Sequence, residues 1–360
     1  MSLASLLDNL PIPIVQAPML GAHDAELALA VTRAGGLGSL PISGMTPDEI
    51  GPAIEALRHE TANRPFGANL FVLPPASASA ETLDAAIARL KPWYEAFGAP
   101  LPEHPNSFAP DFGAQLDALT RAAPPIASFT FGILTRAQVE ALQAAGTYVV
   151  GTANTVAEAR AWAEVGADGV CAQGLEAGGH RGYFLADIDD SLIGAMALTA
   201  TVVAALDIPV IAAGGIMDGR GVAAVLALGA KAAQMGTAFL LSGEARSNAP
   251  WRAAIEAASD DPTRLTRAIT GRFARGIETR FMREMRAVER DVPAYPVQNR
   301  LTLRLRSAAT AAGDPSAMAL WAGQGVKLAK SGDAEAMVRQ WWREAQDSAR
   351  ALARRTGADS

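Results

Sequence analysis

Residues 166–182 read Gly-Ala-Asp-Gly-Val-Cys-Ala-Gln-Gly-Leu-Glu-Ala-Gly-Gly-His-Arg-Gly. The first half of this stretch has echoes elsewhere in the chain. Ala145-Gly-Thr-Tyr-Val-Val-Gly151 and Gly229-Ala-Lys-Ala-Ala-Gln-Met-Gly236 follow the same plan, a helix-ending glycine and then a short apolar run. Each reads as one joint from helix to strand. Eight such runs are present: Ile12–Ala17, Leu37–Leu40, Gly67–Phe71, Ile126–Thr130, Thr147–Val150, Gly169–Ala172, Ile208–Ala213 and Ala232–Met235. Between them lie helical patterns. Thr46-Pro-Asp-Glu49, Thr135-Arg-Ala-Gln138 and Thr155-Val-Ala-Glu158 carry the capping-box signature, in which the Thr and the acidic or amide residue satisfy each other's backbone N–H. Ile50, Ile54 and Leu57 fall at i, i+4, i+7, one buried stripe.

Strand–helix alternation with eight strands predicts an α/β fold, a (β/α)8 TIM barrel. A doubly wound open sheet is the alternative, but the first strand runs into Ile14-Val-Gln-Ala-Pro-Met-Leu-Gly21, without the Gly-X-Gly-X-X-Gly fingerprint of that fold. Two stretches break the rhythm. Residues 91–122 are rich in Pro, Phe and His, and residues 246–317 hold Arg-studded helical segments around Asp291-Val-Pro-Ala-Tyr-Pro296. They are expected to form a small, mostly helical cap domain, with the barrel built from 1–90, 123–245 and 318–360.

Composition narrows the function. The chain has 360 residues, a formal charge of −6 and no basic run, which argues against nucleic acid or an anionic membrane as partner. Its single cysteine, Cys171, lies in an apolar strand, so no internal disulfide can form. No stretch reaches the length of a membrane span, and the N-terminus lacks the basic and apolar regions of a signal peptide. A soluble, cytoplasmic protein is expected, monomer or homodimer.

Chemistry in this fold sits at the C-terminal strand ends. Pro18 and Met19 follow the first strand and Asn69 lies on the third. Gln173 through His180, including Gly178, follow the sixth. Gly214-Gly215-Ile216 follows the seventh, and Gln234-Met235-Gly236-Thr237 spans the end of the eighth. The exits of strands seven and eight are where such barrels bind phosphate, on bare backbone amides. The alternative is that these glycines only turn tight corners. Asn69 and Gln173, as neutral amides, suit the edge of a heteroaromatic ring. Together these residues describe a phosphate-tailed aromatic cofactor lying across the mouth, and FMN fits. No metal site is expected. His180 is the proton-transfer candidate, because imidazole titrates near neutrality. As a neutral ring it could take an α-proton; as imidazolium it could hold an anion. Glu176 could orient it, though a loop hydrogen bond or a surface pair is the simpler role. Arg181 could pair with the cap, and Arg272 and Arg275 are expected to brace it. His23 lies near the first strand exit, where it could line the pocket.

The sequence resembles the bacterial nitronate monooxygenases, formerly called 2-nitropropane dioxygenases. The resemblance rests on Gln16-Ala-Pro-Met19, Ala34-Gly-Gly-Leu-Gly38, Pro65-Phe-Gly-Ala-Asn-Leu-Phe71 and Ser128-Phe-Thr-Phe-Gly132. It continues through Gly166–Gly182, Ala212-Ala-Gly-Gly-Ile-Met-Asp-Gly-Arg-Gly221, Gln234-Met-Gly-Thr-Ala-Phe239, Thr270-Gly-Arg-Phe-Ala-Arg-Gly276 and Trp321-Ala-Gly-Gln-Gly325. It implies an FMN-dependent enzyme that oxidises alkyl nitronates with dioxygen to a carbonyl compound and nitrite. It also implies that Asn69, Gln173, Gly178, Gly215 and Gln234–Thr237 contact the flavin, and that His180 is the active-site histidine. The cap departs from the family's habit of several tyrosines: Tyr295 is followed by Gln298-Asn299, and Phe108 stands where a hydroxyl is expected. An FMN-dependent, NAD(P)H-linked quinone or enoyl-thioester reductase on the same scaffold is the alternative, since such enzymes share the Glu176-Ala-Gly-Gly-His180 loop.

Overall fold

The computed structural model describes residues 2–357. Met1 and residues 358–360, which belong to the expected barrel segments, lie outside the described residues. The chain opens with α1 (Leu3–Asp8), β1 (Ile14–Gln16), α2 (Ala25–Ala34), β2 (Ser39–Pro41), α3 (Pro47–Glu60) and β3 (Gly67–Phe71). After α4 (Ala80–Ala96) and α5 (Phe112–Ala122) it resumes with β4 (Ile126–Thr130), α6 (Arg136–Ala144), β5 (Tyr148–Ala153), α7 (Val156–Glu164) and β6 (Gly169–Gln173). A two-residue strand, β7 (Gly179–His180), precedes α8 (Ala195–Ala205), β8 (Val210–Ala213), α9 (Gly219–Ala227) and β9 (Ala232–Met235). Then come α10 (Ala249–Glu256), β10 (Thr263–Thr266), β11 (Ala274–Ile277), α11 (Arg280–Met285), α12 (Val297–Ala311) and α13 (Ala334–Thr356).

Eight parallel strands run in the order β1-β9-β8-β6-β5-β4-β3-β2. A bridge between Val15 and Leu37 brings the two ends together, with the Gln16 N–H donating to Leu37 O at 2.9 Å. The fold is the predicted TIM barrel, and each predicted run overlaps one of its strands, although β2, β5 and β6 extend one to three residues past the predicted ends. The joints work as read: Gly146, Gly166 and Gly229 all have φ between 90° and 94°, a left-handed turn that ends a helix without a Cβ penalty. Helices pack hard on the strands. A Cβ on Gly151 would lie 2.0 Å from the Trp162 ring, so the bare strand is the seat of that fully buried indole. Loss of a buried ring of this size costs about 3–5 kcal/mol.

Two of the three capping boxes close. Glu49 accepts from the Thr46 N–H at 2.7 Å, and Gln138 from the Thr135 N–H at 2.9 Å. The third does not. Thr155 accepts from the Glu158 N–H, but the Glu158 carboxylate turns away to accept from Asn154, Phe184 and Leu185 backbone N–H groups at 2.7, 2.5 and 3.1 Å. A fully buried carboxylate is thereby satisfied by a loop the local pattern could not reveal.

Packing divides residues 91–122 differently from the expected cap segment. Helix α4 runs to Ala96, straight through Pro92, and its Leu83, Leu90, Trp93 and Tyr94 join the apolar cluster of α10, α11 and α12. Helix α5 instead buries Leu116 and Leu119 among Ile50, Ile54 and Phe66 of the barrel. Pro92 hides the helical period from a reader of the sequence, because proline normally stops a helix. The cap also holds a sheet that sequence reasoning missed. Strands β10 and β11 pair antiparallel, and β11 pairs with β7, Ala274 facing His180 and Arg275 facing Gly179. Among the described residues no helix is long and apolar enough to cross a membrane.

Candidate active site

The barrel mouth opens into a cavity of about 430 Å³ between strand ends and cap. Pro18, Met19, Asn69, Gln173, Gly178, His180, Gly214, Gly215, Gln234, Gly236 and Thr237 all line it. Met235 does not. It alternates to the other face of β9, where it is 1% exposed in a cluster with Ile14 and Phe239, so its side chain is core.

The floor is mostly backbone. A Cβ on Gly178 would lie 2.5 Å from Gly323 N and 2.6 Å from Ala322 C, so the loop after β6 and the loop at 321–325 approach to a distance only glycine allows. Gly214 and Gly215 take φ of 113° and 71°, left-handed conformations that aim their amides as a side-chain-bearing residue rarely could. Thr237 is tied in, its hydroxyl accepting from the Gly323 N–H at 2.9 Å. The Trp321–Gly325 loop was visible as a glycine-rich motif, but no role was assigned to Gly323 or Gly325 from sequence.

The amides differ in what they have to spare. Asn69 spends its Nδ2 on Ser128, donating to the carbonyl at 3.1 Å and the hydroxyl at 3.0 Å, and keeps Oδ1 unpartnered among the described residues. The Gln234 side chain makes no hydrogen bond among them. Gln173 is committed to its own loop: Oε1 accepts from Gly182 N–H at 2.9 Å and Asn154 Nδ2 at 3.0 Å, while Nε2 donates to His180 O at 3.1 Å. That side chain therefore holds the strand carrying His180 in place, whatever else it touches.

His180 stands in an aromatic box. Its ring centroid is 5.3 Å from Phe131, 5.5 Å from Tyr295 and 5.5 Å from Trp321. Burial, then the guanidinium groups of Arg272 and Arg306, push its pKa down to about 3, so the imidazole is neutral at physiological pH. Nε2 lies 2.9 Å from the Thr270 hydroxyl, which in turn donates to Arg272 O at 3.2 Å. When that hydroxyl proton goes to Arg272 O, Nε2 carries the ring proton and Nδ1 is the basic nitrogen. Tyr295 stays a phenol, its pKa raised to about 12 by burial.

The loop chemistry is sorted by contacts. Glu176 accepts twice from Ala195 N–H, at 3.0 and 2.9 Å, and so caps α8; it makes the local hydrogen bond expected of it and does not touch His180. Arg181 does not pair with a cap carboxylate. Fully buried, it donates to the carbonyls of Gly174, Gln173 and Ser191 of its own loop. Arg272 and Arg275 do brace: Arg272 donates to Arg181 O and Tyr183 O and lies 4.4 Å over both the Phe131 and Tyr183 rings, and Arg275 donates to Leu175 O. His23 is 5% exposed, sits behind the wall and accepts the Met19 N–H on Nε2 at 3.0 Å, which fixes the first strand exit. Cap residues Asn299, Leu303 and Arg306, spaced i, i+4, i+7 on α12, also line the cavity. On sequence they look like any amphipathic helix face.

The fold is a barrel with a cavity at the strand C-termini, under a cap. The sequence model of the nitronate monooxygenase family matches residues 4–344. A probable nitronate monooxygenase of Staphylococcus aureus (strain Newman) is 38% identical over 331 residues, 92% of this chain and 93% of that protein. Among solved structures, the nitroalkane oxidase of Streptomyces ansochromogenes superposes with a TM-score of 0.90 at 41% identity, covering 97% of this chain and 99% of that one. FabK from Thermotoga maritima superposes at 0.75 with 28% identity, covering 98% of each chain. The chain belongs to the nitronate monooxygenase family. It is an oxidoreductase, and the family and its nitroalkane oxidase neighbour put nitro compounds as its substrate class.

Proposed function

We propose that the protein binds FMN across the barrel mouth and oxidises alkyl nitronates with dioxygen, releasing a carbonyl compound and nitrite. The observation that carries this reading is a neutral His180 boxed by aromatics beside a glycine cradle in which Gly178 leaves no room for a Cβ. The residues fit the cofactor. Amides of Gly178, Gly214, Gly215 and Gly236, with Thr237, would hold the phosphate; Oδ1 of Asn69 and the free amide of Gln234 would meet the polar ring edge. Bound there, FMN supplies the electron acceptor and the site of reaction with dioxygen.

The chain's own residues do the rest. Pro18, Met19 and Trp321 give the ring apolar surroundings. His180 Nδ1 can take the α-proton of a neutral nitroalkane, while Thr270 holds Nε2–H and fixes the tautomer. A nitronate, already ionised, needs no base. The cap wall and aromatic box keep bulk water from the reacting carbon.

The test uses purified holoprotein with propyl nitronate under air. Oxygen consumption with nitrite release, without NADH, is the expected result, and acid precipitation should free FMN into the supernatant. Flavin reduction that requires NADH, with nitronates inert, would give the site to an NAD(P)H-linked reductase instead.

A further inference from the structure

The cap wall contains a half-buried cation, its Nε fully enclosed, with no counter-charge among the described residues. Arg306 donates through Nη2 to Asn299 O at 3.0 Å and to Asn299 Oδ1 at 2.8 Å. Its Nε is buried without a partner, and Nη1 has none among the described residues. No carboxylate pairs with it among them; the groups that face it are the Tyr295 and Tyr94 phenols and, across the cavity, His180. The phenols cannot serve as counterions. Tyr94 donates to Leu301 O at 2.5 Å, and both phenols are held protonated by burial. Burial presses Arg306 down to about 10, which still leaves it charged at neutral pH.

An unpaired guanidinium at a cavity wall is expensive to bury, and its planar donors match a flat two-oxygen anion. The nitro end of a nitronate is such an anion, and so is nitrite. The neutral histidine cannot provide the attraction that an imidazolium would. Some other group must meet the charge.

We propose that Arg306, oriented by Asn299, is an oxyanion-binding subsite that holds the substrate's nitro oxygens and leaves His180 to act only on the proton. The identity of the substrate rests on the nitronate reading above; the subsite itself does not.

The probe is sodium nitrite, titrated into flavin-loaded protein by calorimetry and followed as an inhibitor of nitronate turnover. In the parent protein nitrite should bind and compete. In Arg306→Met its affinity should fall about 10–100-fold, the range for a lost charged hydrogen bond, with Arg306→Lys falling less. The KM for propyl nitronate should rise by a similar factor while kcat changes little. For neutral nitroalkane the KM should move less. Asn299→Asp is the second variant. It keeps the arginine but places a carboxylate against it, and nitrite binding should be lost there too. Unchanged nitrite affinity in folded, flavin-loaded Arg306→Met, or in Asn299→Asp, overturns the subsite. Nitrite binding that depends on Arg306 in a protein inert to nitronates would support the subsite and sink only the proposed reaction.

Discussion

The two walls of the cavity are built on opposite principles. The barrel floor is electrically quiet: glycine backbone, a threonine hydroxyl and neutral amides, held in place by strand ends. The cap wall is charged. Residues 246–317 hold thirteen arginines against eight carboxylates, in a chain whose formal charge is −6. Arg275 is buried and Arg252, Arg267, Arg272 and Arg306 are half-buried, and Arg306 has no acid beside it among the described residues. On the proposed reading, a floor made of backbone would read shape and phosphate, and a wall made of guanidinium would read charge. Cofactor and substrate selection would then be separable, because they would use different residues on different elements.

The largest effect should come from breaking the floor. Gly178→Val puts carbon into the backbone of Ala322 and Gly323, and the variant should purify as apoprotein with little flavin. Circular dichroism like the parent's would show that the barrel itself is intact. Stoichiometric flavin in that variant would mean the phosphate lies elsewhere.

A smaller effect should follow from His180→Asn, which leaves the floor untouched. Flavin content should not change, and turnover of neutral nitroalkanes should fall about 10²–10⁴-fold, the usual contribution of a positioned base. Propyl nitronate turnover should fall much less. Equal losses on both substrates would erase the division of labour between His180 and Arg306.

The mildest test is thermodynamic. His180 titrates near 3 in the folded chain against 6.5 for the free group. Between those values the unfolded chain binds the extra proton, so stability present above pH 6.5 drains away as pH falls toward 3. His180→Asn lacks this titration, and its Tm should decline less steeply across that window. His23 is also lowered by burial, but it contributes equally to both proteins, so the difference isolates His180. Parallel curves would show that the ring is not desolvated as described.

How legible each wall was in the sequence follows from how local its making is. The barrel joint recurs within eight-residue phrases, and Asn69, Gly214 and Gly236 sit at strand ends that periodicity locates. The cap wall is assembled from long-range pairing. Strand β11 meets β7 across more than ninety residues, and four-residue runs such as Thr263-Arg-Leu-Thr266 carry too little period to announce a strand. Arg306 is one arginine among many until the fold shows that no carboxylate reaches it. Glu158 had a correct local signature and a non-local destiny. Met235 fell on the wrong side because one residue along a strand reverses the face.

His180 belongs to β7, and that strand is hydrogen-bonded into the cap sheet. The stitching continues nearby: Gln324 N–H donates to Glu176 O at 2.9 Å and Ile277 N–H to Leu320 O at 2.9 Å. A cap joined this way cannot swing off without pulling His180 from its place. Leu20 and Leu303 line the cavity yet are 48% and 41% exposed, so the cavity wall already reaches solvent at these two side chains without any movement of the cap. Rotamer flips of exposed side chains take picoseconds to nanoseconds, far below the microsecond-to-millisecond swings of domains. Molecules small enough to pass two leucines should come and go without waiting for the architecture to move.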